Sequence, residues 1–485
     1  MQGPISPPPA AGGAGRELPA YLSNGVVGLK VRDNPLSPGM TLLSGFSGEH
    51  PERKIEAAAF APYPIAGDVS LDGVWMSEAT HNVRIVDQAC NFSTGELTTR
   101  LTFHVGRHQA KIAVMAFCSR DQPTLVCQEI SVEVDEACDI RVRATIDLSG
   151  IEGRALRYNR DTPGEAKPSS DGSLLWESAG AMSTCGLAYV TELLGDRAKP
   201  QRPPLDGEGL QSEYAWRAHS GRQFKLRQLV SLVPSALHSQ PDYQAARLIA
   251  FAADVGFDAI RKNHRARWAE LWKSRIRLVG AEKRWQAMAD AAFFYLMSSA
   301  HSSSPSSTSM FGLATWHDYH YYFGHVMWDI ETFCVPPLIF LQPAAAESIL
   351  DYRFRNLESA RNNARLMGRR GLNFLGKVPR RQDKRRHLCQ AQQPGAKTTR
   401  HLISPVPLHS ALTSWAMTGS CARKLGLCFR ALPNGSRVAS QNGVEIMKFV
   451  PPWGSPSANH HRTMLFLPTC RRELFCWTLS PLRGA

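Results

Sequence analysis

The hydrophobic period of this chain changes once, near residue 240, which limits it to a β-rich unit followed by a helical one. Before that point, Arg100-Leu101-Thr102-Phe103-His104-Val105 alternates apolar with polar side chains, as does Ile140 to Leu148. A repeat of two puts one apolar set on one face of a strand. Gln128 to Val134 and Gln223 to Val233 add β-rich runs, and Gly/Pro/Asp/Ser clusters at Asp161 to Gly172 and Lys199 to Gly209 punctuate the region. Many antiparallel strands with one buried face predict a sandwich over 21–235 rather than a barrel.

Beyond residue 240 the repeat becomes helical. Asp242 is placed to cap a helix through Ala245, Leu248, Ile249, Ala252 and Ala253, and a second helix is predicted near Phe257 to Trp272. In a third, Trp285, Met288, Ala289, Ala292, Phe293 and Leu296 fall on one continuous stripe, which reads as core packing. After a polar loop at 301–309, a helix is expected from Pro343 to Met367, burying Leu350, Phe354, Leu357 and Ala364.

Charge divides the chain more sharply than period does. Residues 368–485 hold 19 Lys/Arg against Asp383, Glu445 and Glu473, a balance of +16, whereas the other 367 residues balance at −2. All the excess of the net +14 therefore lies in the tail, which argues against a specific nucleic-acid partner for the folded body. No segment from 376 to 470 sustains a period of 2 or 3.6. Translation in a wrong reading frame from about codon 375 accounts for this composition; a natural disordered basic tail is the alternative.

Met1 to Ala20, with Pro7-Pro8-Pro9 and a Gly/Ala run, lacks the basic and apolar regions of a signal peptide. No run reaches the roughly 18 apolar residues of a membrane span. Eleven cysteines without paired spacing, and no export signal, make a reduced cytoplasmic protein the expectation. His460-His461 with Cys470 and Cys476, and Cys421 with Cys428, lack zinc-ligand spacing, so no metal is expected.

The segment Tyr319-His320-Tyr321-Tyr322-Phe323-Gly324-His325-Val326-Met327-Trp328-Asp329-Ile330-Glu331 combines an aromatic run, a glycine and a Trp-Asp-x-Glu group. Pyranose rings stack their C–H faces on aromatics and offer hydroxyls to carboxylates, so this chemistry suits sugar recognition. The candidate substrate-binding residues are Trp328, Asp329, His325 and Glu331, with a purely supporting role as the alternative for His325 and Glu331.

This segment, with Pro336-Pro337-Leu338 and Tyr352-Arg353 after it, resembles glycoside hydrolase family 65. Tyr21-Leu22-Ser23-Asn24-Gly25 and Gly45-Phe46-Ser47-Gly48 look like the start of that family's first domain. The likeness runs over about residues 18–374. It implies a multidomain β and α protein with an antiparallel β-sandwich at 18–238, a helical linker at 239–280 and the start of an (α/α)6 barrel at 281–375; a disordered start at 1–17 and an irregular basic tail without family resemblance at 376–485 lie outside it. It also implies that Asp329 binds glucosyl hydroxyls with Trp328 beside it, in an inverting hydrolase or phosphorylase of α-linked glucose oligosaccharides or glucosides. No cofactor is implied beyond inorganic phosphate as co-substrate for a phosphorylase, and a homodimer is a possible assembly.

The family's catalytic acid is a glutamate in a Gly-Pro-Asp-Glu-like context more than a hundred residues after Trp-Asp-x-Glu. Glu445 and Glu473 are the only glutamates after Glu358, and neither has that context. Arg369, Gly371, Leu372, Asn373 and Phe374 resemble the family's next stretch, but its continuation is replaced by Leu375-Gly376-Lys377. Gly443 to Lys448 is again family-like. An impaired enzyme is therefore expected, with a non-catalytic carbohydrate-binding remnant as the alternative. A partial barrel would also expose apolar helix faces and lower solubility.

Overall fold

The computed structural model describes residues 20–160, 170–201, 209–308, 323–327, 329–374, 439–441 and 444–446. Its first part is the expected antiparallel β-sandwich. In chain order the strands are β1 (Ala20–Ser23), β2 (Val27–Val31), β3 (Met40–Glu49), β4 (Glu56–Ala61), β5 (Tyr63–Leu71), β6 (Val74–Trp75), β7 (Val83–Asn91), β8 (Glu96–Val105), β9 (His108–Cys118), β10 (Leu125–Val134), β11 (Cys138–Asp147), β12 (Gly153–Arg160), β13 (Gly172–Ser178), β14 (Thr184–Leu194), β15 (Gly209–Ala218) and β16 (Gln223–Pro234). Eight form one sheet in the order β12-β13-β14-β16-β10-β9-β8-β7. Facing it are two four-stranded sheets, β1-β2-β3-β4 and β15-β11-β5-β6.

Strand β16 shows how its residues choose their faces. Phe224, Leu226, Val230 and Leu232 point into the sandwich core. On the other face, Lys225 and Arg227 pair with Glu129 of β10 at 3.1 and 2.8 Å. Farther along, Leu229 and Val233 occupy that outer face and meet helices. Burial accordingly alternates in the first half of the strand and is continuous in the second. An alternating sequence marks a face left to solvent, and an unbroken apolar run marks a face that something covers.

The cover is α1 (Pro241–Val255) with α2 (Phe257–Trp272), whose Ala245, Ile249, Ala252, Phe257 and Ile260 pack on Phe117, Leu125, Cys127 and Ala188. Asp242 does not cap α1: Gln240 precedes the helix, Pro241 opens it, and no side chain makes a capping bond. The Asp242 carboxylate is instead buried against Arg157, 2.8 Å away on β12. A second ion-pair anchor lies at the start of β8, where Glu96 receives forked hydrogen bonds of 2.7–3.0 Å from Arg261 and Arg265. Those arginines sit four apart on α2 and so share one helix face. Burial opposes ionisation of Glu96, but the two guanidiniums outweigh it and hold its carboxyl down at about 2.

Arg120, between β9 and β10, joins three parts of the molecule. Its N–H donates to His264 Nδ1 of α2 at 3.0 Å, and its Nη1 donates to the carbonyls of Asn24 and Met297 at 2.7 and 2.8 Å. The guanidinium lies over the Trp268 ring, 5.8 Å from its centroid. Asn24 is buried and donates to Ser119 O and Pro123 O at 2.7 and 2.9 Å, while its own Oδ1 accepts from Val26 and Val27. Gly25 follows with φ of 89°, and a Cβ there would strike the backbone of Ala300 and His301. Asn24 and Gly25, just after β1, thus form a turn by which the sandwich docks onto the helical part.

That part comprises α3 (Lys283–Ser298), a π-helical turn at Ile330–Cys334 running into α4 (Val335–Leu341), α5 (Pro343–Arg355) and α6 (Leu357–Leu366). The single helix expected from Pro343 to Met367 is two. Asn356 departs from helical geometry with φ and ψ of −97° and 8°, and its side-chain amide donates to Tyr352 O at 2.8 Å beside the 3.3 Å bond from its own N–H. The expected stripe of α3 is also rotated: Phe293 is buried, but Trp285 is 46% exposed and Met288 56%. The buried face instead carries Asp290, Phe293, Phe294, Met297 and Ser298, with Asp290 forked to Arg275. Among the described residues nothing covers the outer stripe.

In the tail, β17 (Ala439–Gln441) pairs with β18 (Val444–Ile446) as an antiparallel hairpin. Strands of three residues are too short to register as a period of two, which is why the sequence showed none. Cys90, Cys118, Cys127, Cys138, Cys185 and Cys334 are free thiols. No described helix is long and apolar enough to cross a membrane.

Candidate functional site

The candidate segment docks on the sandwich before it enters the helical core. Phe323 and Gly324 both have left-handed backbone, with φ of 53° and 73°. A Cβ on Gly324 would lie 2.5 Å from the Ala58 methyl, so only glycine lets this turn approach β4. Ala58 N–H donates to Phe323 O at 2.9 Å, and His325 Nε2 donates to Glu56 O at 2.8 Å. A carbonyl only accepts, so this bond places a proton on Nε2. The Phe323 ring meets His50 edge-on at 5.1 Å between centroids. His325 is therefore positioned as a junction residue between sandwich and helices.

Val326 and Met327 are buried, the former within a core of Phe294, Ile330, Leu338, Ile349 and Tyr352. Trp328 and the aromatic run Trp316 to Tyr322 lie outside the described residues. Asp329 leads into the π-helical turn with helical φ and ψ of −55° and −30°, and is half-buried. Among the described residues it has no ion-pair partner. A π-helical turn widens the helix by one residue and is commonly found at functional sites.

Glu331, two residues on, is 3% exposed and forms a two-bond pair with Arg353: Nε to Oε1 at 2.7 Å and Nη2 to Oε2 at 3.0 Å. Arg353 Nη2 also reaches Met327 O at 3.1 Å and Val326 O at 3.4 Å. The guanidinium is 5.6 and 5.4 Å from the ring centroids of Tyr352 and Phe374. Burial alone would lower the pKa of Arg353, but Glu331 beside it holds it above its ordinary value. Burial also pushes Tyr352 up to about 12 and raises the Cys334 thiol, which feels Glu331 and Asp329 as well. A carboxylate so tightly bound to a guanidinium is suited to structure, not to proton transfer.

Asp329, Glu331 and His325 thus share one segment but have different surroundings. Sequence reading did not single out Arg353 for a role. The available signal was a cation at position 353 among Ile349, Leu350 and Tyr352, where the helical repeat calls for an apolar side chain. No three His, Cys, Asp or Glu among the described residues are grouped to hold a metal ion.

Comparison with known proteins agrees with this layout. The model of the glycosyl hydrolase family 65 N-terminal domain matches residues 45–271, and that of the family's central catalytic domain matches 316–388. The second match runs beyond Phe374, where the resemblance read from the residues ended. A kojibiose hydrolase of Flavobacterium johnsoniae is 22% identical over 359 residues, covering 73% of this chain and 51% of the relative. A kojibiose phosphorylase of Escherichia coli is 27% identical over 307 residues, covering 59% of this chain and 38% of the relative. The chain thus spans about half the length, or less, of these curated relatives. A solved structure described as a kojibiose phosphorylase from human microbiome shares the fold, with a TM-score of 0.62 at 17% identity over 74% of this chain and 49% of that one. With the family's N-terminal and central catalytic domain models matched in order along the sequence, the chain belongs to glycoside hydrolase family 65.

Proposed function

We propose that this chain is directed at α-linked glucosides, with Asp329 binding hydroxyls of a glucosyl unit and Trp328 beside it. Helices α3 to α6 would then be the beginning of an (α/α)6 barrel. The carrying observation is the contrast within Trp-Asp-x-Glu: Glu331 is buried and consumed by Arg353, whereas Asp329 stays half-exposed at the head of the same turn. One carboxylate builds the turn, and the other remains for a ligand. The named activities of the relatives, kojibiose hydrolysis and phosphorolysis, support an α-linked glucose disaccharide as substrate.

Inversion at the anomeric carbon needs an acid that protonates the departing glycosidic oxygen while water or inorganic phosphate attacks from the opposite face. Neither Glu445 nor Glu473 stands in the family's acid context. Turnover by this chain is accordingly proposed to be impaired, because loss of a general acid alone costs about 10²–10⁴-fold. The acid-free reading leaves a carbohydrate-binding protein as the second form of the proposal.

The test is glucose release from α-linked glucose disaccharides, kojibiose first, with and without phosphate, beside calorimetric binding of the same sugars. Asp329→Asn is the control. Release that needs phosphate identifies phosphorolysis, and release without it identifies hydrolysis. Binding without release, lost in Asp329→Asn, establishes the binding form. Folded protein that neither binds nor turns over any of these sugars refutes the proposal.

A further inference from the structure

We propose that Arg353 is the positioning residue for Asp329, holding the chain on both sides of the sugar-binding carboxylate at once. This rests on the glucoside reading above and adds a residue that the reading does not use.

The geometry is specific to one side chain. Arg353 lies on α5, 24 positions after Asp329, yet it touches residues just before and just after it. Upstream, Nη2 donates to the carbonyls of Met327 and Val326 at 3.1 and 3.4 Å. Downstream, Nε and Nη2 fork onto the Glu331 carboxylate at 2.7 and 3.0 Å. Those carbonyls precede the first helical turn and have no place in its ladder, apart from the 3.3 Å bond that Met327 O accepts from Ile330 N. Without the guanidinium, the entry to the helix would keep its downstream bonds but lose its fixed angle.

The clamp is itself held firmly. Arg353 is 6% exposed and sits against the rings of Tyr352 and Phe374, and Glu331 is 3% exposed. A planar fork with donors spread over two edges meets a carboxylate and two carbonyls together, which a lysine ammonium on a single point cannot. Arg353→Lys is therefore the informative variant, since it keeps the charge that neutralises Glu331 while removing the fork.

The experiment compares the full chain with Arg353→Lys in three measurements: thermal melting, amide hydrogen exchange of peptides covering 326–335, and the Kd for kojibiose well below the melt. Positioning predicts a cooperative melt in the variant, exchange in 326–335 faster by roughly tenfold or more, and a Kd weakened roughly 10- to 100-fold. Glu331→Gln, which leaves the guanidinium on both carbonyls, is predicted to lose much less affinity. A merely structural arginine would lower the melt and leave both the local exchange and the Kd at low temperature unchanged, which overturns the proposal. If the unmodified chain binds no kojibiose, the glucoside reading falls, and unchanged exchange in 326–335 would still overturn the clamp.

Discussion

Acid should unfold this protein through two histidines before it does so through its carboxylates. His264 has no accessible surface, and burial holds it at about 4; Glu96 opposes that shift, while the charges of Arg120 and Arg265 add to it. His301 is likewise held at about 4, first by burial and then by Arg120 and Arg267. In the unfolded chain both rings titrate near 6.5. Between those values the unfolded chain binds more protons, so stability is complete above pH 6.5 and falls as the pH drops towards 4. At about 1.4 kcal/mol per pH unit, His264 alone accounts for roughly 3 kcal/mol. His301 is half-buried, so solvent reduces its share and the pair is worth about 4–5 kcal/mol. Domains of this kind have about 5–15 kcal/mol in total, so the loss should be plain in urea midpoints taken from pH 7.5 down to 4.5. His264→Asn keeps an acceptor for the Arg120 N–H but does not titrate, and it should remove more than half of the slope. An equal slope in both proteins would refute the assignment.

Glu96 offers a separable window: its carboxyl lies at about 2 against an ordinary 4.5, so its contribution disappears only as the pH falls below 4.5. Glu96→Gln should cost about 2 kcal/mol in urea unfolding at pH 7, limited because Arg265 is partly exposed, and it should leave the histidine slope in place between pH 6.5 and 5.5, where Glu96 is ionised in both states. Gly324→Ala should cost about 2–3 kcal/mol, from positive φ and the collision with Ala58, and a midpoint equal to the parent would show that the turn relaxes freely. Trp285→Glu with Met288→Lys should reduce dye binding to exposed apolar surface and light scattering while shifting stability by less than about 0.5 kcal/mol. A large loss of stability would mean that stripe is packed after all.

The sandwich was legible in the sequence wherever one strand face meets solvent, as in β11, whose Ile140, Val142, Ala144 and Ile146 are buried between more exposed neighbours. Helix α2 was legible because its buried Phe257, Ile260, His264 and Trp268 keep a helical spacing. What stayed hidden depends on partners distant in sequence. The face α3 buries is set by Phe92, Trp268 and the Asp290–Arg275 pair, which no helical repeat encodes. Asp242 has the chemistry of a cap but is taken by Arg157 from a strand more than eighty residues earlier. In the candidate site the Trp-Asp-x-Glu group was legible by its chemistry, whereas the different surroundings of Asp329 and Glu331 became visible only once Arg353 was placed. Within the resemblance motifs, Asn24-Gly25 and Phe323 to His325 turn out to be docking turns, a role their composition does not announce.

Strand β4 stands at the outer edge of its sheet, with β3 on one side only. An open edge invites pairing with other chains unless something occupies its donors and acceptors. Here Phe323 O takes the Ala58 N–H, and the His325 ring takes the Glu56 carbonyl. The stretch that leads to Asp329 is therefore also the stopper on the sandwich's raw edge. A sandwich cut free at residue 238 would bare that edge and tend to associate through it, however complete its own core. Domain shuffling is then constrained in a particular way: the β unit travels safely only with a partner that brings its own plug for β4.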